Sequence, residues 1–324
     1  MKKTIIFLFM IGLYSSVNAQ FGTNPPEKVK LHDMHWRDNC ILADKASGYY
    51  YMVGPGGRSV LSYRSKDLIN WEKPTKIFTI PDGFWGGMDI ASIWAPELHL
   101  YKGKYYLFLT IDTRNKFSEQ WSNWRPRVTR GSQILVSDSP AGPFKAFQDY
   151  STLPVDMMTL DATLWEEDGI PYIVYAHEWV QISNGTIEYM QLKDDLSETI
   201  GEPKLLFRGS DGPWASISQT DGGYVTDGPY LKKNKTGKLM MIWTSFNNGI
   251  YMMGVAFSES GKLNGPWRQQ EKPVYDQDGG HGMLFETFDG KLMTVLHSPN
   301  NRDSRPHIFE LEDTGSELRT DREL

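Results

Sequence analysis

The sequence has little cysteine and no concentration of positive charge. Its 324 residues include one cysteine, Cys40, so no disulfide can form within the chain. We expect Cys40 to be a small buried apolar side chain, with a nucleophilic role as the alternative. Lys and Arg number 34 against 40 Asp and Glu, with a net charge of −6 and no basic block. We therefore expect no nucleic acid partner, because phosphate backbones are bound by clustered positive charge.

Long apolar runs are also missing, except at the N-terminus. Lys2 and Lys3 precede an apolar run over residues 4–14, and a short segment of small and polar residues then ends at Ala19. This is the pattern of a cleavable signal peptide over residues 1–19, and the run is too short to span a membrane. No cysteine follows the cleavage point, so a lipid anchor is not indicated. We expect an exported, periplasmic or extracellular protein that is monomeric.

No segment has the periodicity of an amphipathic helix, which disfavours helical and βαβ folds. The chain instead contains five similar units, and in each an apolar strand follows a glycine turn. The five glycines are Gly48, Gly103, Gly169, Gly237 and Gly290. Each of these strands has one apolar partner before it and another after it. Five units of about four antiparallel strands predict one all-β domain over residues 20–324, a five-bladed β-propeller. A two-sheet sandwich is the alternative, but it does not predict five similar units.

In a propeller the first strand of every blade lines the central channel, so the heads of these strands meet. The predicted heads are Asp38, Trp94-Ala95-Pro96-Glu97, Asp161, Asp227 and His281. Four of the five carry an acid. The second strands return to the same mouth and bring further polar residues there, namely Asp112, His177, Glu178, Ser245 and His297. The sequence therefore predicts a carboxylate-rich pocket at one end of the channel.

This ordered set of residues resembles glycoside hydrolase family 43 across residues 38–310. The resemblance implies a five-bladed propeller that hydrolyses arabinose- or xylose-containing glycans with inversion. By resemblance Asp38 matches the general base, Asp161 the carboxylate that orients the acid and adjusts its pKa, and Asp227 the general acid. Two positions depart from the common pattern. Asn39 stands where proline usually follows the base, and Asp227 stands where most members have glutamate.

The chemistry of glycosidic cleavage asks the same of these carboxyl groups. One carboxylic acid protonates the leaving oxygen while an opposed carboxylate activates water. Asp227 must therefore hold a proton, and an ionised Asp161 nearby would raise its pKa. Asp38 must stay ionised, which Arg37 would favour. Glu178 is the alternative proton donor, because it ends a second strand at the same mouth.

Other residues are candidates for substrate contact, since aromatic rings stack on sugars and arginine donates to hydroxyl groups. They are Trp85 or its neighbour Phe84, Trp94, Glu97, Glu178, His281 and Arg305. Glu97 also fits a purely structural role. We expect no required cofactor, although some family members hold calcium, which leaves a Ca²⁺ ion near His281 open. The insertion at residues 115–130 is expected to wall the pocket and thus decide between exo and endo action.

Three functions are consistent with the sequence, and each acts on an oligosaccharide or polysaccharide. The first is a secreted inverting glycosidase of the α-L-arabinofuranosidase or β-D-xylosidase type. The second is a propeller that binds glycans without cutting them; the aspartate at position 227, where most family members have glutamate, would then reflect lost activity. The third is a related five-bladed glycosidase with another sugar preference.

Overall fold

The computed structural model describes residues 28–218 and 222–324, so the predicted signal peptide lies outside the described residues. The chain forms five antiparallel sheets, which confirms the all-β, five-bladed propeller. Helices are short: α1 (Phe84–Gly87), α2 (Trp179–Ile182) and two 3₁₀ turns (Leu31–Asp33 and Gly209–Asp211). Within the described ranges, therefore, no helix has the length and apolar character needed to cross a bilayer.

Each sheet is one blade built from consecutive strands. Blade one contains β1 (Lys28–Lys30), β2 (Cys40–Asp44), β3 (Tyr49–Pro55), β4 (Ser59–Ser65), β5 (Asn70–Glu72) and β6 (Thr75–Thr79). Blade two contains β7 (Ile90–Tyr101), β8 (Lys104–Lys116), β9 (Val128–Ser137) and β10 (Lys145–Ala146). Blade three contains β11 (Thr159–Glu167), β12 (Ile170–His177), β13 (Thr186–Leu192) and β14 (Thr199–Arg208). Blade four contains β15 (Asp227–Lys233), β16 (Leu239–Asn247), β17 (Ile250–Ser258) and β18 (Trp267–Gln269). Blade five contains β19 (Gly280–Glu286), β20 (Leu292–Ser298), β21 (Arg305–Asp313) and β22 (Leu318–Glu323).

The inner strands are β2, β7, β11, β15 and β19, and each pairs antiparallel with the strand that follows it. The five glycines that marked the repeats lie in the turns between these pairs. All five have positive φ, from 69° at Gly48 to 86° at Gly290. Glycine adopts this left-handed conformation at little cost, which explains why it recurs at the same place in every unit.

Blades one and five close the ring by packing side by side, since each sheet contains strands of one blade only. Hydrogen bonds fix this junction. The Trp36 amide donates to the Ser304 carbonyl at 3.0 Å, and the Phe288 amide donates to the Tyr50 hydroxyl at 2.9 Å. The two ends of the described chain are thereby tied together, which keeps the inner strands at fixed positions around the channel.

The core consists of apolar clusters between neighbouring blades. Large aromatic side chains fill it, and Trp71 and Trp243 are fully buried. Trp71 also donates its indole N–H to the Leu68 carbonyl at 3.0 Å, which closes the polar turn after β4. Cys40 is fully buried, as expected, and burial raises the pKa of its thiol well above the ordinary value. An inert apolar role follows, because the thiolate is the reactive form.

Candidate active site

Each blade has the same backbone irregularity, either within its inner strand or shortly before it. One residue has a left-handed conformation in every blade: Asp38 (φ 54°), Ala95 (39°), Asp161 (55°), Gly228 (53°) and His281 (49°). In blades two to five the strand register also shifts at this point. An extra residue of this kind is a β-bulge, which bends the strand and redirects a side chain. These left-handed residues, which lie at bulges in blades two to five, therefore place side chains from the five blades around one mouth of the channel.

A cavity of about 780 Å³ occupies this mouth. Asp38, Asp161 and Asp227 all line it, so the structure brings the three predicted catalytic carboxyl groups together. Trp94, Glu178 and His281 also contribute to the lining, which is where the sequence predicted them. The cavity volume is in the range of small-molecule sites in enzymes, roughly 300–1,000 Å³.

Asp38 is surrounded by nitrogen atoms. Arg37 Nε lies 3.1 Å from its Oδ2 atom, while His297 Nδ1 and His281 Nδ1 lie 3.1 and 3.7 Å from its Oδ1 atom. Burial alone would raise the pKa of Asp38, but His281, His297 and Arg37 together hold it well below its usual range. The surroundings of Asp38 therefore favour its ionised form.

Asp161 is fixed by hydrogen bonds at both ends of the residue. Its amide donates to the Thr110 hydroxyl at 3.0 Å, and its Oδ2 atom accepts the Gly228 amide at 3.1 Å. Burial and the neighbouring charge of Asp38 raise the pKa of Asp161 well above its ordinary value, although the Gly228 amide opposes this. The bulge in blade four thus supplies the donor that orients the carboxyl group in blade three.

Asp227 accepts a hydrogen bond from the Tyr251 hydroxyl at 2.7 Å. Burial, and next the charge of Asp161, raise the pKa of Asp227 to about 7, while His281 acts in the opposite direction. Asp161 is therefore one source of the raised pKa of Asp227, and both carboxyl groups have pKa values above the ordinary one.

Glu178 belongs to a separate group on the blade-two side of the cavity. Arg130 donates to Glu178 and also to Asp112, with an Nη2–Oδ1 distance of 2.7 Å to the latter. The guanidinium group stacks over the Trp94 ring at 4.0 Å. Burial raises the pKa of Glu178, and the charge of Arg130 opposes that rise. Glu178 is thus a buried carboxyl group that is already engaged in an ion pair.

Three predicted substrate contacts lie away from the cavity lining. Glu97 is fully buried and accepts a hydrogen bond from His99 Nε2 at 2.7 Å. The bulge at Ala95 explains this, because it separates Glu97 from the cavity-lining Trp94 and turns the carboxylate into the core. The geometry thus favours a structural role for Glu97 over contact with the substrate.

Trp85 and Arg305 are the other two. Trp85 is 3% exposed, and its indole N–H donates to the Gln133 side chain in the core. Arg305 donates to the His32 carbonyl at 2.8 Å and contacts His35, at the junction of blades one and five. Both residues follow a turn, and turn composition does not show which side of a blade a side chain will take.

The insertion at residues 115–130 is shorter than the sequence indicated, because β8 and β9 extend into it and leave residues 117–127 as the connection. Arg125 and Pro126 line the cavity. Trp124 packs against Trp179, with ring centroids 5.5 Å apart, and donates to the Val180 carbonyl at 2.8 Å. The segment does form a wall of the cavity, and blade three supports it.

The sequence analysis did not identify Tyr251 as a site residue, and it included Arg130 only in the insertion expected to wall the pocket. Tyr251 pairs with Phe246 across the hairpin of β16 and β17, both of which border the cavity. Arg130 pairs with Asp112 in the same way between β8 and β9. A register argument could have found both, because the third strand of a blade begins where the second one ends.

A calcium ion near His281 has little support in the donor atoms. Within residues 28–218 and 222–324, no group of three or more His, Cys, Asp and Glu side chains is arranged to hold a metal. His281 Nε2 is buried without a hydrogen-bond partner among these residues, but it is a nitrogen. Calcium prefers six to eight oxygen ligands. The residues fit a direct calcium site poorly, and we derive no step through a metal.

The family model for glycosyl hydrolases family 43 matches residues 31–316. The chain belongs to this family. Among solved structures, an endo-arabinase from Bacteroides thetaiotaomicron VPI-5482 is 35% identical, with a TM-score of 0.79; the match covers 88% of this chain and 97% of that one.

Curated proteins similar to this family 43 chain are arabinofuranosidases. Alpha-L-arabinofuranosidase B of Pyricularia oryzae is 26% identical over 67% of this chain and 44% of its own length. An extracellular exo-alpha-(1->5)-L-arabinofuranosidase of Streptomyces chartreusis is 24% identical over 64% of this chain and 62% of its own length. The chain spans about half of the length of the curated relatives it matches.

Proposed function

We propose that this family 43 protein hydrolyses glycosidic bonds of arabinose- or xylose-containing glycans and inverts the anomeric carbon. The observation that carries the proposal is that Asp38 and Asp227 line one cavity in opposite electrostatic surroundings. Asp38 has a lowered pKa, and Asp227 has a pKa raised to about 7. Two carboxyl groups whose surroundings push their pKa values apart are the expected acid and base of such a reaction.

In the proposed mechanism Asp38 accepts a proton from the water that attacks the anomeric carbon. Asp227 donates its proton to the glycosidic oxygen as the bond to the leaving sugar breaks, so one proton is taken up and one is given. Inversion requires about 6.5–9.5 Å between the two carboxyl groups, which leaves room for that water. Asp161 raises the pKa of Asp227 by its charge. Trp94 offers an aromatic face beside the cavity for a sugar ring.

Asp227 is a better proton donor than Glu178 on electrostatic grounds. Glu178 pairs with Arg130, and this ion pair would have to break before Glu178 could hold and deliver a proton. Asp227 faces only the neutral Tyr251 hydroxyl among its hydrogen-bond donors, and the neighbouring Asp161 favours its protonated form.

The test is to incubate purified protein with arabino- and xylo-oligosaccharides and with aryl glycosides, and to identify the products and their anomeric configuration. Asp38→Ala should lose activity on every substrate. Asp227→Asn should lose far more on a poor leaving group than on a good one, because only the poor one needs a proton. Glu178→Gln should not discriminate between them. The proposal fails if Asp38→Ala matches the wild type, or if sugar binds with no product after long incubation, as a non-catalytic glycan-binding propeller predicts.

We also propose that the protein acts outside the cytoplasm as a monomer with one domain over residues 20–324. The support is the signal-like pattern of residues 1–19 and the extracellular relatives from Streptomyces. N-terminal sequencing of the exported protein should begin at Gln20, and sedimentation should give the mass of one chain.

A further inference from the structure

Two buried rings connect blades four and five beside the cavity. Tyr251 lies at the start of β17 in blade four, and His297 lies near the end of β20 in blade five. Their rings are stacked, with centroids 5.7 Å apart and an interplanar angle of 22°. Tyr251 is 2% exposed and His297 is 0% exposed, so both are held inside the protein.

Each ring contacts one of the two carboxyl groups that the mechanism uses. The Tyr251 hydroxyl donates to Asp227 Oδ2 at 2.7 Å. His297 Nδ1 lies 3.1 Å from Asp38 Oδ1. The contacts therefore run without a break from the proton donor, through two stacked rings, to the base.

We propose that Tyr251 and His297 are positioning residues that fix the proton donor and the base relative to each other. This inference rests on the proposed function. The separation of the two carboxyl groups decides whether a water fits between base and sugar, so it must be held closely. A stack of two planar rings suits this purpose, because buried aromatic side chains have few rotamers and pack rigidly.

The surroundings of the two rings support this role. Arg37 Nη2 lies 3.3 Å from His297 Nε2, so the same arginine contacts both the base and the ring behind it. Tyr251 also packs against Phe246, with ring centroids 4.9 Å apart. Phe246 lies near the end of β16, just before the turn that leads into β17.

The identity of the acid makes a positioning residue especially useful here. Asp227 is one methylene shorter than a glutamate, so its carboxyl group has less reach toward the leaving oxygen. The Tyr251 hydroxyl holds one carboxyl oxygen, Oδ2, which leaves Oδ1 to carry the proton.

Replacing Tyr251 with phenylalanine removes the hydroxyl and keeps the ring stack. A donated hydrogen bond stabilises the ionised carboxylate, so its loss should raise the pKa of Asp227. The basic limb of the kcat/KM profile should move upward by about one pH unit, as expected for one hydrogen bond to a charged group. The other charged groups that act on Asp227 are unchanged in this variant: Asp161, His281, Asp38 and Arg37. Activity on a poor leaving group should fall about tenfold, with little change on a good one.

Replacing Tyr251 with leucine removes the hydroxyl and the ring. His297 then loses the ring stacked on it, and the base beside it is held less firmly. Tyr251→Leu should therefore also lose activity on the good leaving group, by about tenfold relative to Tyr251→Phe, because that substrate depends on the base alone. The comparison separates the hydroxyl from the stack.

Tyr175→Phe is the matched control. Tyr175 is also fully buried and its hydroxyl donates to a carboxylate, Glu188, at 3.1 Å, but neither residue lines the cavity. This variant should leave the pH profile and the leaving-group ratio unchanged. The inference is overturned if Tyr251→Phe leaves the basic limb and the ratio unchanged, or if the leucine and phenylalanine variants are equal on the good leaving group. A wild-type protein without hydrolytic activity would instead refute the proposed function.

Discussion

Replacing Arg130 with methionine should destabilise the protein strongly. The Arg130 side chain is 11% exposed, and its partners Asp112 and Glu178 are 14% and 7% exposed. Methionine keeps much of the volume that packs on Trp94 but removes the cation that binds both buried carboxylates. Removing one partner of a buried ion pair costs about 3–5 kcal/mol. That is a large share of a total stability of roughly 5–15 kcal/mol.

The loss should depend on pH in a defined direction. Burial raises the pKa of Glu178, and Arg130 opposes that rise, so the variant should raise the pKa further. A carboxyl group with a raised pKa in the folded state destabilises the protein at pH values above its unfolded pKa. This cost disappears as the group becomes protonated in both states. The difference between variant and wild type should therefore narrow as the pH falls toward about 4.3, the ordinary pKa of glutamate.

Urea unfolding at several pH values measures both effects. Arg114→Met is the matched control, because Arg114 pairs with Asp89 on the surface, with side chains 65% and 63% exposed. An exposed pair contributes about 0–1 kcal/mol, so this variant should stay close to the wild type. Adding Glu178→Gln to Arg130→Met should restore about half of the lost stability, since one unpaired carboxylate remains. A loss in Arg130→Met that is equal at all pH values and is not restored would refute the electrostatic reasoning.

Two further predictions concern packing and substrate contact. A Cβ atom at Gly254 would lie 2.0 Å from the buried Trp214 ring, so Gly254→Ala should lower the free energy of unfolding by about 3 kcal/mol. A Cβ atom at Gly237 would meet open space, so Gly237→Ala should cost only the strain of φ 80°, about 1 kcal/mol. Thermal or urea unfolding of the two variants measures this difference, and a Gly237→Ala protein less stable than Gly254→Ala would contradict it. Trp94→Ala should raise KM for oligosaccharides about tenfold, whereas Arg305→Ala should leave KM unchanged because Arg305 lies at the blade junction; equal effects in steady-state kinetics would contradict this placement.

The fold could be predicted from the sequence because its repeats are local. A glycine turn between two apolar strands depends on a few neighbouring residues, and the five units carry that signal independently. The way in which blades one and five close the ring was harder to predict from the sequence. The contacts of Trp36 with Ser304 and of Tyr50 with Phe288 join residues more than two hundred positions apart, and no local pattern marks them.

The candidate site was predictable only in part, for a related reason. Asp38, Asp161 and His281 are themselves the left-handed residues of their blades, so a position at the strand head also places them at the cavity. Glu97 belonged to one of the predicted strand heads and Trp85 to a glycine-rich loop, but both side chains point into the core. Side-chain direction after a bulge depends on backbone dihedral angles, which residue types alone do not specify.

The left-handed residue that recurs in every blade has a consequence for altering this protein. Every blade has one left-handed residue at an equivalent backbone position, so five equivalent positions surround the mouth of the channel. In blade two this position is occupied by Ala95, whose methyl side chain carries no functional group. Three of the other four blades have Asp or His at this position in the same left-handed conformation. The backbone at Ala95 should therefore accept Asp, His or Asn without rearrangement. New chemistry could thus be added to the propeller by exchanging one side chain, with the scaffold unchanged.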